Sequence, residues 1–410
     1  MRKAPSALLL SVLVPLAGAV PVLTPPQAAP RPVAPEVRSH ALRGVELGVD
    51  REARRASFAV SSSARAAAPP VDEGRPAGRP EVLVSRRQVA TFDLLGVTWQ
   101  ATSPEPDLTV VVRTHTDRGW SPWTALDPAV APRPEEARAA RPGTEPLWVG
   151  AADGYQVRVD VRTGSLPRDL RIDLIDPGSS PADARPQGRR PMQSAQAAAA
   201  RPLVYTRSQW GADERLRRTA PSYNDTIKAG FVHHTAGSNN YTEAEVPQIL
   251  RAIYAYHVKG NGWSDIGYNF LVDRFGRLWE GRYGGMDRAV VGAHTGGFNV
   301  DTFAVSAIGN FDKVAAPPVM VDSIARVMAW KLAMHFRDPN ATTSLTSQGG
   351  GTSRYAAGAQ VTTGVVSGHR EVGKTSCPGT NVYTQLATIR ALTASYLGTT
   401  MFSPRASSTT

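Results

Sequence analysis

A chain of 410 residues with one cysteine, Cys377, cannot brace itself with an intramolecular disulfide. A single thiol therefore has to be buried or bound to something. The stretch Ser367-Gly368-His369-Arg370-Glu371-Val372-Gly373-Lys374-Thr375-Ser376-Cys377-Pro378-Gly379 places a histidine eight positions before it, in a loop punctuated by Gly368, Gly373, Pro378 and Gly379. Imidazole nitrogen and thiolate are favoured zinc donors, and three protein ligands with an open fourth position form a catalytic zinc site. One further ligand has to come from elsewhere. Taken alone, the pair also fits a buried free thiol beside a core histidine.

The first residues reinforce the question of the thiol. Met1-Arg2-Lys3, the apolar run Ala7 to Leu16 and Ala17-Gly18-Ala19 read as a secretory signal over residues 1–19, cleaved after Ala19, with Ala29 as the alternative. The run is too short to span a bilayer, and no later stretch resembles a membrane span. The expectation is a secreted, extracellular protein. In an oxidising compartment a lone thiol is protected by burial or by metal ligation.

Formal net charge is +11, of which Arg2 and Lys3 belong to the signal, leaving +9. Such a balance suits an anionic partner, including anionic wall polymers, and association with a cell wall. The arginines are scattered and no nucleic-acid motif occurs, so a nucleic-acid partner is not expected. A GC-rich genome accounts equally well for a chain rich in Arg, Ala, Pro and Gly.

Residues 20–80 are rich in Ala, Pro, Arg and Ser and are expected to form a disordered leader. From Glu81 the texture changes to short β-type runs, including Glu81 to Val84, Thr91 to Gln100, Leu108 to Arg113, Leu147 to Val149, Tyr155 to Val161 and Leu170 to Ile175. Several alternate with period two between Gly, Pro or Asp, which predicts a small all-β sandwich over 81–176. Trp120 and Trp123 in its loop are either an aromatic platform for carbohydrate or packing at the sandwich edge. Residues 177–203 read as a linker.

Residues 204–397 have the pattern of a mixed α/β domain, with a loose tail over 398–410. Phe231-Val232 is a strand opening into His233-His234-Thr235. Thr242-Glu243-Ala244-Glu245 is a capping box for a helix carrying Val246, Ile249, Leu250 and Ile253 on one face and ending at Gly260. Tyr268 to Val272 and Arg277 to Glu280 predict a hairpin, and Ala304 to Ile308 a buried strand. Two further amphipathic helices run through Val321 to Phe336 and Val382 to Tyr396. The Gly349-Gly350-Gly351 loop reads as a mobile surface insertion.

Seven blocks in this second domain, in order, carry a resemblance. Ser208-Gln209-Trp210-Gly211-Ala212, Phe231-Val232-His233-His234-Thr235-Ala236, Asp265-Ile266-Gly267-Tyr268-Asn269-Phe270-Leu271-Val272, Gly292-Ala293-His294-Thr295-Gly296-Gly297, Ala307-Ile308-Gly309-Asn310-Phe311, Gly368-His369-Arg370 and Cys377-Pro378-Gly379 resemble the peptidoglycan recognition protein and type 2 N-acetylmuramoyl-L-alanine amidase family. The resemblance implies that family's fold, a mixed β-sheet flanked by helices, and covers neither the leader nor the β-rich domain. It implies Zn²⁺ held by His233, His369 and Cys377, with Tyr268 as the active-site tyrosine assisting the oxyanion or the attacking water. Some family amidases carry lysine where Thr375 stands; active animal members carry threonine, so Thr375 is implied as a weaker, hydrogen-bonding helper. His294 falls either on the substrate groove or as a structural histidine bonded to backbone, Asn310 resembles a groove residue that hydrogen-bonds the stem peptide, and Arg282 and Tyr283 fall where family members discriminate its third residue, although Arg282 to Arg288 departs from the animal pattern. His234 is expected to face away from its neighbour, and His257 and His335 to be structural.

The reading is a secreted zinc amidase that cleaves the lactyl–L-Ala amide of bacterial peptidoglycan, with a non-catalytic or weakly catalytic peptidoglycan receptor as the rival. A purely structural zinc is a third reading.

Overall fold

Nine short runs of alternating or continuous apolar residues in the first half close into a two-sheet sandwich in the computed structural model, which describes residues 31–46, 80–102, 104–129, 140–184 and 200–398. The expected signal, most of the leader, the middle of the linker and all but the first residue of the tail lie outside the described residues. One sheet has the order β1-β9-β3-β7, where β1 is Glu36–Ala41, β3 Phe92–Thr98, β7 Leu147–Ala152 and β9 Arg171–Asp176. The other runs β2-β8-β4-β5, with β2 Val82–Arg86, β4 Asp107–Thr116, β5 Gly119–Trp120 and β8 Gly154–Thr163; β6, Thr124–Leu126, pairs with β4. All pairings are antiparallel, and Val82, Val84, Leu95, Val97, Val110, Val112, Val157, Val159, Ile172 and Leu174 fill the space between the sheets.

Two features depart from the sequence expectation, and a third decides between two alternatives it left open. Residues 36–41, assigned to a disordered leader, form β1, because their backbone completes the ladder of β9 from Glu36 opposite Asp176 to Ala41 opposite Arg171. The start of the linker is fixed rather than free. The buried Arg251 guanidinium donates to the carbonyls of Pro177 and Gly178 and forks onto Asp183 at 2.9 and 2.7 Å. Finally, Trp120 and Trp123 pack around Arg113, whose guanidinium lies 5.2 and 5.0 Å from the two rings, so the pair braces the sheet edge.

The second domain is built on a six-stranded sheet of order β10-β13-β12-β14-β11-β17. Its strands are β10 Val204–Tyr205, β11 Ala229–His234, β12 Phe270–Val272, β13 Leu278–Glu280, β14 Thr302–Ala307 and β17 Val366–Gly368; only β12 and β13 are antiparallel. Strands β11 and β14 are buried along their whole length, as parallel strands covered on both faces must be. Val232, Phe270, Val272, Val305 and Ala307 pack under α2 (Pro318–Ala333) and α4 (Leu386–Leu397), with the short α3 (Thr380–Thr384) before α4. Leu271, Ala304 and Ile308 point the other way, toward α1 (Val246–Ala255), which continues through a π turn to Gly260. A two-stranded ribbon, β15 Thr342–Thr346 with β16 Gln360–Gly364, carries the Gly349 to Gly351 loop. That loop is tied down on both sides, by Gln348 N–H to the Gly297 carbonyl at 2.8 Å and by Lys374 Nζ to the Gly351 carbonyl at 3.3 Å.

The two domains share one apolar cluster. Leu94, Trp148 and Ile175 from the outer face of the first sheet pack with Val246, Ile249, Leu250 and Ile253 of α1. Burying each such side chain contributes about 1.5–3 kcal/mol. This explains why β3 is almost continuously buried rather than alternating: it faces the sandwich core on one side and α1 on the other. Among the described residues no helix is long and apolar enough to cross a membrane.

Candidate metal centre

Parallel strands present the loops at their carboxyl ends to one side of a sheet, where ligand sites of open α/β sheets gather. Strand β11 ends in His233 and His234, and its parallel neighbour β17 ends at Gly368, immediately before His369. Adjacent, equally directed strands thus bring His233 and His369 together, with ring centroids 4.6 Å apart. Cys377 completes the group: ring nitrogens of both histidines and the sulfur all lie within 4.8 Å of one another, with Cys377 Sγ 3.5 Å from His233 Nδ1.

The loop carrying Cys377 is held in place by local bonds. Arg370 N–H donates to the Cys377 carbonyl at 2.9 Å, the Arg370 guanidinium bonds the Ser376 carbonyl and lies over Tyr383, and Cys377 N–H donates to Thr375 Oγ1 at 3.1 Å. Gly373 is required beside the ring, since a Cβ there would come 2.7 Å from His369 Nε2. On the other side, His233 Nε2 lies 3.3 Å from Thr295 Oγ1, which is 2.9 Å from His294 Nδ1. The arrangement leaves His233 Nδ1 facing the sulfur and Nε2 within reach of the Thr295 hydroxyl, the kind of outer partner that metal-ligating histidines generally have.

The donor set fits a zinc ion. His369 Nε2 is buried without a hydrogen-bond partner, and no carboxylate pairs either imidazole among the described contacts. Burial, followed by the neighbouring histidines, lowers the His233 pKa well below its ordinary range, and burial followed by Arg354 brings His369 down to about 3. Both rings are therefore neutral and able to ligate. Burial pushes the Cys377 thiol up, an effect opposed by the His234 backbone N–H at 3.4 Å. A dication is the missing counter-charge that would favour the thiolate.

Tyr268 stands at the edge of this group, its ring 5.5 Å from that of His233. Burial first, and then Glu145, raises its pKa well above the ordinary phenol value, so the hydroxyl is a hydrogen-bond donor at neutral pH. It donates to Glu145 Oε2 at 3.3 Å.

The remaining candidates are distributed differently. Thr375 lies on the cysteine loop, where its hydroxyl accepts from Cys377 N–H rather than standing apart as a free helper. His294 is wholly buried behind His233, edge-on to it at 5.2 Å, and acts on that ring through Thr295 instead of lining a groove. The buried Arg282 guanidinium is committed to the carbonyls of Ile266 and Val291 at 3.0 and 3.1 Å, which corrects its expected role in substrate contact. Tyr283 is 40 % exposed, stacked under Arg217 at 3.7 Å, at a shallow surface hollow. Asn310 closes a turn by accepting from Asp312 N–H and is fixed by Asn239. His234 turns to the opposite face from His233, as strand alternation requires, and accepts from Phe311 N–H. His257 is buried against Trp263, and His335 caps the Ile227 amide.

Two residues at the site carried no signal in the sequence: Glu145 and Asp127. Thr295 lies within a recognised block, beside His294, but no role was assigned to it. Glu145 and Asp127 come from the sandwich and reach the site only through the domain interface.

The two parts of the chain are similar to different known families. Residues 223–380 match the family model described as N-acetylmuramoyl-L-alanine amidase, and residues 52–200 match Rv3811 N-terminal galactose-binding domain-like. Peptidoglycan-recognition protein SC2 of Drosophila simulans is 32% identical over 185 residues, covering 45% of this chain and 85% of that protein. Peptidoglycan recognition protein 1 of Bos taurus is 29% identical, covering 44% of this chain and 80% of that protein. Among solved structures, wild-type Drosophila PGRP-LB aligns with a TM-score of 0.36 at 22% identity, over 45% of this chain and 93% of that one. The endolysin N-acetylmuramoyl-L-alanine amidase LysCS of Clostridium intestinale aligns at 0.30 and 22%, over 42% and 87%.

Proposed function

The chain belongs to the peptidoglycan recognition protein and type 2 amidase family, and from that premise we propose that it is a secreted, zinc-dependent N-acetylmuramoyl-L-alanine amidase acting on the lactyl–L-Ala amide of bacterial peptidoglycan. The observation that supports catalysis over recognition alone is the grouping of His233, His369 and Cys377 within 4.8 Å, beside a protonated tyrosine hydroxyl. When bound there, zinc supplies Lewis-acid polarisation of a carbonyl and lowers the pKa of a coordinated water toward neutrality.

The chain's own residues divide the rest of the work. His233, oriented by Thr295, and His369, packed on Gly373, are held neutral by burial, while the His234 N–H would support Cys377 as a thiolate once the metal is bound. Tyr268 Oη is a donor for negative charge developing on the lactyl carbonyl oxygen; one such donor is worth about 10²–10³ in rate. Hydrolysis breaks the C–N bond, adding the hydroxyl of water to the lactyl carbonyl carbon and its proton to the L-alanine nitrogen. Thr375 keeps the Cys377 loop in register.

A peptidoglycan receptor that binds zinc without useful turnover is the second reading. It draws on Thr375, which provides no cation for the transition state and is already bonded to the cysteine loop. Incubating the mature protein with intact peptidoglycan, with and without chelator, and following new amino termini by mass spectrometry separates the two. New L-alanine termini that disappear on chelation and return with Zn²⁺ establish the amidase; wall binding without release establishes the receptor.

A further inference from the structure

The four residues that define the site are almost inaccessible: His233 is 1%, His369 4%, Cys377 7% and Tyr268 4% exposed. A polymeric substrate cannot reach them as they stand. The sandwich is part of what covers them. Glu145 accepts from Tyr268 Oη at 3.3 Å, Asp127 accepts from the hydroxyl of Ser376 at 3.0 Å next to Cys377, and the Trp148 carbonyl lies 3.4 Å from Ser238 N–H on the loop after β11.

This seating is built rather than casual. Glu145 N–H donates to the Asp127 carbonyl at 2.7 Å, and Thr144 beside it is bonded through N–H and Oγ1 to the Val97 backbone at 2.9 and 3.1 Å. Tyr256 Oη of the second domain donates to the Thr144 carbonyl at 2.8 Å, and Arg141 N–H to the Asn261 carbonyl at 2.8 Å. Trp148, three residues after Glu145, is embedded in the apolar cluster with α1. Glu145 is thereby aimed at the tyrosine from both flanks.

We propose that the β-sandwich is an intramolecular cover that keeps the metal-binding site closed, with Glu145 occupying the Tyr268 donor that a substrate carbonyl requires. The proposal rests on the amidase reading for the meaning of that donor, but the closure itself is a property of the interface. Carboxylates on the cover meet the site where an uncharged amide has to enter, so the closed chain is latent. Activity then requires displacement of the sandwich face by the wall polymer.

The test uses the full chain loaded with one zinc ion. Wild type, Glu145→Gln, Glu145→Ala and Asp127→Ala/Glu145→Ala are compared for the rate at which a chelator extracts the metal and for turnover of intact peptidoglycan. The double variant is expected to lose metal at least ten-fold faster and to turn over at least ten-fold faster at unchanged initial stoichiometry, with Glu145→Gln, which preserves side-chain size, showing a smaller change of the same sign. Turnover that falls ten-fold while extraction is unchanged overturns the proposal and makes Glu145 a participant in the reaction. Two unchanged rates overturn it as well. If no protein turns over peptidoglycan yet extraction accelerates ten-fold, the cover stands and the amidase reading fails.

Discussion

The Thr295 hydroxyl lies 3.3 Å from His233 Nε2 and 2.9 Å from His294 Nδ1, so a buried hydroxyl chain behind the metal site decides which nitrogen of His233 faces Cys377. Thr295→Val keeps the shape and removes the hydroxyl. It is expected to weaken zinc binding by about 10–100-fold, the usual effect of losing such an outer partner. Competition against a chelator of known affinity measures it, and an unchanged affinity shows that packing alone orients the ring.

Cys377→Ser distinguishes a catalytic zinc from a bracing one. Val232, Phe270, Val305 and the surrounding apolar cluster supply a core that does not depend on the ion. The variant is therefore expected to remain folded by circular dichroism while bound zinc falls from one per chain to a small fraction. Unfolding on substitution favours the structural role.

Tyr268→Phe should retain zinc and fold but lose turnover by about 10²–10³, since it removes one oxyanion donor. Measuring zinc content alongside released L-alanine termini checks both halves of the expectation.

Arg251 is fully buried and carries Asp183 and the carbonyls of Pro177, Gly178 and Trp210 on one guanidinium. Arg251→Ala leaves Asp183 buried without its counter-charge, at a cost of about 3–5 kcal/mol. Denaturant titration should show that loss, whereas Asp183→Ala/Arg251→Met should recover part of it.

Burial, reinforced by Asp312 and opposed by Ser376 and Arg370, raises the Asp127 carboxyl from 3.8 to about 6. A carboxyl with a raised folded pKa binds its proton more tightly in the native state, so stability falls as pH rises from about 4 to about 6 and stays lowered above that. Asp127→Asn, which keeps an acceptor for Ser376, should stabilise the protein by about 1–3 kcal/mol at pH 7.5 and leave it nearly unchanged at pH 4. Melting curves at the two pH values test the sign.

What the sequence determined by itself was local. Period-two alternation announced β8 and β9, short continuous apolar runs announced β2 and β4, and the apolar face of Val246, Ile249, Leu250 and Ile253 announced α1, because each signal resides within a dozen neighbouring residues. His369 and Cys377 could be singled out for the same reason, and His233 followed from the ordered blocks. Tertiary structure decided what depends on partners remote in the chain. Residues 36–41 became a strand only because β9 offers a free edge more than a hundred residues later. Arg282, plausible as a substrate contact from its position, is consumed by carbonyls of two loops. Glu145 reaches Tyr268 across 123 residues. A solvent-facing acid and an acid aimed into a metal site look alike in sequence; the difference is the interface that removes water from one of them.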